Sequence, residues 1–131
     1  MRKTVGYSGK PLAVKLGVKD GSRVLVTASP DGFDLGAPHH TRAGRDPYDI
    51  VLLFCPDAAA LHRRWPAAIA RITTSGALWV AWPKKSSGVP TDLTEDVVRA
   101  FALPHGVVDV KVCAVDEVWS GLKLVRRLSN R

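Results

Sequence analysis

An unbroken apolar run, Leu78-Trp79-Val80-Ala81-Trp82, closed by Pro83, constrains this chain more than any other stretch. A run of that length with no polar residue reads as a strand covered on both faces. Pro83 has no N–H to donate and ends the ladder. Asp49 to Cys55 (Asp-Ile-Val-Leu-Leu-Phe-Cys) reads the same way, and Arg23 to Ala28 (Arg-Val-Leu-Val-Thr-Ala) is a third buried strand. Strands of this kind need a layer of chain above the sheet and another below it.

The intervening stretches carry helical patterns. Pro56-Asp57 opens one helix, with Asp57 as its cap. Leu61, Trp65, Ala68 or Ile69, and Ile72 recur on its apolar face. Pro66 is expected to kink or divide it. Asp92 to about Ala102 reads as a second helix, capped by Thr91 or Asp92, with Leu93, Val97 and Phe101 on one face. A short helix from Pro11 to Leu16 stops at Gly17 and would dock through Leu12, Val14 and Leu16. Thr73 to Gly76 reads as the return to the central strand. Alternating strands and helices imply a three-layer α/β domain around a mostly parallel sheet. Val107–Val115 and Val118–Leu128 close it as a C-terminal antiparallel hairpin, tipped by Asp116-Glu117. Gly121 is the candidate bulge, and Leu122, Leu124 and Leu128 are assigned to one face. Residues 1–9 read as a flexible leader and residues 10–131 as a single domain. Residues 29–48, broken by Gly and Pro, are the least regular, with a short strand expected near Phe33 to Leu35.

Lys and Arg number 19 against 12 acids, a formal charge of +7, so anionic partners are admitted. The charge is spread along the chain, and no basic stripe interleaves with exposed aromatics, which disfavours nucleic acid. No apolar run approaches the ~20 residues of a membrane span. The N-terminus lacks the apolar core of a signal peptide, so a cytoplasmic protein with no membrane partner is expected. Cys55 and Cys113 sit in apolar runs and read as buried reduced thiols. His39-His40 point apart on regular structure, and no ligand-like spacing surrounds them, so no metal is assigned.

Ligands of parallel α/β sheets sit beyond the carboxyl ends of the strands. Four segments would converge there: Ala28 to Asp31, Cys55 to Asp57, Trp82 to Ser87, and Asp116 to Ser120. Lys84 and Lys85 are the candidate partners of an anion. Ser86, Ser87 and the backbone near Thr91 are candidate donors. Trp82 or Trp119 would form a wall, and Asp116 and Glu117 supply carboxylates. The bland alternative is a well-capped strand–loop–helix connection with solvated lysines.

The order of elements and the closing hairpin resemble a shortened class I methyltransferase, a Rossmann-like fold that binds S-adenosylmethionine. Leu16 to Val24 is similar to the lead-in to that fold's first strand. Asp49-Ile50-Val51-Leu52 is similar to its fourth strand, and Ser75 to Val80 to its fifth. Where those enzymes carry a Gly-rich turn, this chain reads Ala28-Ser29-Pro30-Asp31-Gly32, and the next strand, with its acid for the ribose, has no counterpart. These departures argue against S-adenosylmethionine as the cofactor, and no other is assigned. The chain also resembles a family of small bacterial proteins known only as a domain of unknown function. That likeness lies in Trp79 through Glu95 and Val108 through Lys123. It implies no activity.

The residues favour a binding module for an anionic small molecule at the 82–92 loop, and not an active methyltransferase. One alternative is a small enzyme pairing Lys84 or Lys85 with Asp116 or Glu117 for acid–base or Schiff-base chemistry, with Cys55 as a less favoured nucleophile. Another is a protein-interaction module on a degenerate methyltransferase fold. There a homodimer would cover an incomplete sheet edge.

Overall fold

A computed structural model describes residues 10–130. The expected leader, residues 1–9, lies outside the described residues. The elements run in the order α1 (Leu12–Lys15), β1 (Val24–Thr27), β2 (Tyr48–Phe54), α2 (Ala58–Ile69), β3 (Ile72–Pro83), α3 (Glu95–Ala102), β4 (Val107–Ala114) and β5 (Trp119–Arg126). The strands form one open sheet in the order β1-β2-β3-β5-β4. The β1–β2 and β2–β3 ladders are parallel. The β3–β5 and β4–β5 ladders are antiparallel. The α/β class and the closing hairpin are as expected, whereas the sheet as a whole is mixed: the hairpin joins through its returning strand, so β5 alone opposes the others.

Alternation of side chains along the strands sends residues to two separate cores. Val51, Leu53, Leu78, Val80, Leu122 and Leu124 pack under α2 and α3, against Leu61, Trp65, Val98 and Ala102. Val24, Val26, Leu52, Phe54, Trp79 and Ala81 face the other way and are covered by Leu16 and Leu35. Among the described residues, that second layer is built from the four-residue α1 and the irregular 28–47 connection.

Several expectations change here. The 33–35 segment forms no strand; Phe33 and Leu35 pack side-on against the sheet as loop. Pro66 sits inside an undivided α2, because Leu61, Trp65 and Ala68 hold both of its halves on the core. Ile72 belongs to β3, which starts six residues earlier than its apolar run (78 minus 72). The register of β2 against β3 shifts between Tyr48 and Ile50. A Cβ on Gly76 would lie 2.8 Å from Thr73 Oγ1 and 3.0 Å from the Asp49 carbonyl, so only glycine fits at that position. Gly121 is no bulge. It pairs regularly with Ala81 and Cys113, and the irregularity lies between Asp109 and Lys111. Val14 faces outward, and Ala13 joins Leu12 and Leu16 against the core. Leu128 is 80% exposed in a terminal 3-10 turn.

Both sheet edges carry features that discourage further pairing. Along β1, the His40 backbone donates to Val24 O at 2.8 Å and accepts from Val26 N at 2.9 Å. Along β4, the bulge and Lys111 interrupt the edge, although Val110 and Val112 are exposed. An incomplete edge was the basis for expecting a homodimer, and these features weaken that basis. Among the described residues no helix is long and apolar enough to cross a membrane.

Candidate ligand cleft

The chain leaves β3 at Pro83 and builds the cleft from the connection to α3. Lys84 is extended, and its N–H donates to Val118 O at 2.8 Å, tying the connection to the hairpin. Lys85–Ser87 forms a 3-10 turn that ends at Gly88, whose φ of 77° is a conformation glycine favours. The Ser87 hydroxyl donates to Lys84 O at 2.7 Å and accepts from Val89 N at 3.1 Å. The Thr91 hydroxyl donates to Pro56 O at 2.7 Å and accepts from Leu93 N, which anchors the connection to the end of β2.

Helix capping differs from the sequence expectation. Asp57 caps α2 as expected, accepting from Ala60 N at 2.8 Å. Asp92 also serves α2, accepting from Ala58 N at 2.8 Å. Neither Thr91 nor Asp92 caps α3; Thr94 does, accepting from Val97 N. With the helix starting later, its buried face becomes Val98 and Ala102, Val97 turns outward, and Leu93 is buried ahead of the helix. Two carboxylates at the start of α2 suit its positive end better than one would.

The resulting cleft holds about 520 Å³ on the α2–α3 side of the sheet. Trp82 and Leu93, both buried, form its floor. Lys84, Lys85, Thr91, Thr94, Glu95 and Ser120 of β5 also line it. Four of the proposed site residues therefore line one cavity: Trp82, Lys84, Lys85 and Thr91. Ser86 is exposed outside it, and Ser87 is engaged within its own turn.

The hairpin tip is not part of this cleft. Trp82 pairs with Ser120, whereas Trp119 pairs with Pro83, so the two indoles project from opposite faces. Trp119 packs edge-on against Phe54 at 5.0 Å, and Phe33 meets the same ring at 4.9 Å. Asp116 Oδ1 accepts from both Val118 N and Trp119 N at 2.8 Å, shaping the turn. Glu117 is exposed.

Sequence reasoning missed Glu95 and Thr94 as cleft residues. The Glu95–Arg99 spacing on a helix was the available signal. Glu95 pairs with Arg99 at 2.5 Å, and Arg99 also binds Asp96 and Asp109. The hydrogen bond to Glu95 leads in raising the Arg99 pKa, and the bond from Arg99 holds the Asp109 carboxyl below its usual range. Arg99 thus offsets the one carboxylate among the described residues that line the cleft and leaves the two lysines to set its field.

The remaining candidates are used elsewhere. Cys55 is buried, and burial pushes its thiol up to about 12, with Arg64 opposing. His40 Nδ1 lies 2.5 Å from the Tyr48 hydroxyl, and His39 Nδ1 lies 2.8 Å from Ala37 O. Among the described residues, no group of three or more His, Cys, Asp or Glu is placed to hold a metal ion. No protein-family model matches the chain, and no curated protein matches it.

Proposed function

We propose that this protein is a binding module for an anionic small molecule seated in the cleft beside the end of β3. The observation that carries this reading is the placement of Lys84 and Lys85 together over a floor of Trp82 and Leu93. The ammonium groups pair with the anion. The first turn of α3 directs its positive end toward the same space, since Thr94 and Glu95 line it. Trp82 gives the organic part of the ligand an apolar surface.

The strand order, with an antiparallel strand between β3 and β4, supports a likeness to a shortened Rossmann-like methyltransferase. The sheet stops at β1, and Ala28 follows it with φ 62°, a conformation suited to glycine. The connection that follows packs on the sheet without adding a strand. S-adenosylmethionine is therefore not the ligand favoured here. The acid–base alternative loses support, because Asp116 is committed to its turn and neither Asp116 nor Glu117 lines the lysine cleft.

A thermal-shift screen of the purified chain tests the reading with AMP, ADP, citrate, polyphosphate and S-adenosylmethionine. A ligand at ~100 times its Kd adds about 2.7 kcal/mol, readily seen in a domain of this size. The expected result is a shift with a nucleotide or metabolic acid that disappears in the Lys84→Ala/Lys85→Ala variant. A shift that survives in that variant, or no shift with any anion, overturns the lysine cleft as the site.

A further inference from the structure

We propose a second ligand site, for a small phosphate monoester with an apolar body, in the arginine-lined cleft between α2 and the end of β1. It shares no lining residue with the lysine cleft. Its origin lies in the topology. The connection from β1 to β2 packs Leu35 on the opposite side of the sheet, so no helix follows β1 on the α2 side. Leu25 and Thr27 of β1, Ala43 of the connection and the Arg63–Ala68 part of α2 line a cavity of about 320 Å³.

The cavity combines two surfaces. Leu25, Leu53 and Ala68 are buried and apolar. Arg63, Arg64 and Arg71 supply three guanidinium groups. Arg63 and Ala67 lie one turn apart on α2, and Arg71 follows just past the end of the helix; all three line the cavity. Two of the arginines are held in place by main-chain carbonyls. Arg64 donates to Phe54 O at 2.7 Å, and Arg71 donates to Gly44 O at 3.3 Å. A guanidinium has five N–H donors, so each anchored group retains donors for a ligand.

The charge balance selects the ligand class. No carboxylate is among the described residues that line the cavity. Among the described residues, Arg63, Arg64 and Arg71 form no ion pair with a carboxylate. A phosphate monoester carries about −1.5 to −2 charges at neutral pH and matches the guanidinium fork, whereas a carboxylate carries only one charge. The apolar floor favours an ester group over bare phosphate.

Titration calorimetry with phenyl phosphate tests the site, with inorganic phosphate and benzoate as comparisons. Ala67→Glu places a carboxylate between Arg63 and Arg71 at an exposed helical position, and Ala67→Gln adds a side chain of similar size without charge. Phenyl phosphate is expected to bind the unmodified chain more tightly than either comparison does. Affinity should fall about tenfold or more in Ala67→Glu and in Arg63→Ala, as for loss of a charge-assisted contact. Affinity should fall less in Ala67→Gln than in Ala67→Glu, and the Lys84→Ala/Lys85→Ala variant should retain binding. Absence of saturable binding to the unmodified chain overturns the proposal. Equal loss in Ala67→Gln and Ala67→Glu overturns its charge basis. Loss in the lysine variant alone moves the phosphate to the first cleft and overturns the second site.

Discussion

The indole Nε1 of Trp79 donates to the main-chain carbonyl of Leu16 at 3.1 Å, across the interior between the central strand and the end of α1. Both residues are buried. The bond gives a terminal helix of four residues a fixed point on the sheet. It also gives a partner to one carbonyl at the end of that helix, that of its C-cap residue.

Trp79→Phe should therefore cost more than its lost volume. Removing the donor leaves the Leu16 carbonyl buried and unpaired, a penalty of about 1–3 kcal/mol, to which the cavity adds. Urea denaturation is expected to show a total loss of about 2–4 kcal/mol with the m-value unchanged. A loss below about 1 kcal/mol would mean that α1 is held chiefly by Leu12 and Leu16 packing.

Gly121 lies under the same indole. An added Cβ would stand 3.2 Å from Trp79 Cε3 and 3.1 Å from Val115 Cγ2, and both neighbours are buried. Gly121→Ala reduces the freedom of the unfolded chain, which favours folding by about 0.4–1 kcal/mol. Overpacking of a buried ring costs about 1–3 kcal/mol. The net expectation is destabilisation of about 1 kcal/mol, read from the urea midpoint. A stabilised variant would show that Trp79 can shift freely.

Cys55 makes stability depend on alkaline pH. Its thiol is raised from 9.0 to about 12 by burial. Below the unfolded value it is neutral in both states, and its contribution is fully present. As pH rises from 9.0 toward about 12, the unfolded chain releases the proton first, so stability falls. The slope from this group is up to about 1.4 kcal/mol per pH unit. Cys55→Ala should flatten that limb in denaturation series taken across alkaline pH. At pH 8 the native thiol should resist a disulfide reagent and react only on unfolding. Rapid native modification of Cys55 would contradict its burial.

The legible parts of this protein are those that depend on neighbours in the chain. The apolar runs at Val24, Ile50 and Leu78 identify buried strands because two-sided burial leaves no polar position. Asp57 is readable as a cap because it lies three residues before the N–H it accepts. Residues 28–47 were not readable. Their order comes from contacts across the chain: the His40 backbone pairs with β1, while the Tyr48 hydroxyl meets His40 and Gly44 N. Periodicity carries no trace of such contacts.

The sequence alone determined the strand cores, the closing hairpin and the lysine-bearing loop after Pro83, since burial pattern and backbone chemistry are local properties. Tertiary structure alone decided which side chains share a cavity. Strand register turns Trp82 toward the lysines and Trp119 away from them, because a shift of one residue reverses the face. Ala43 of the 28–47 connection, Leu25 of β1 and Arg63, Arg64 and Arg71 meet around one cavity. Asp92 reaches α2 rather than α3 because the fold brings a residue 34 positions away to the Ala58 N–H. Such encounters depend on where distant segments pack, and no local pattern encodes that.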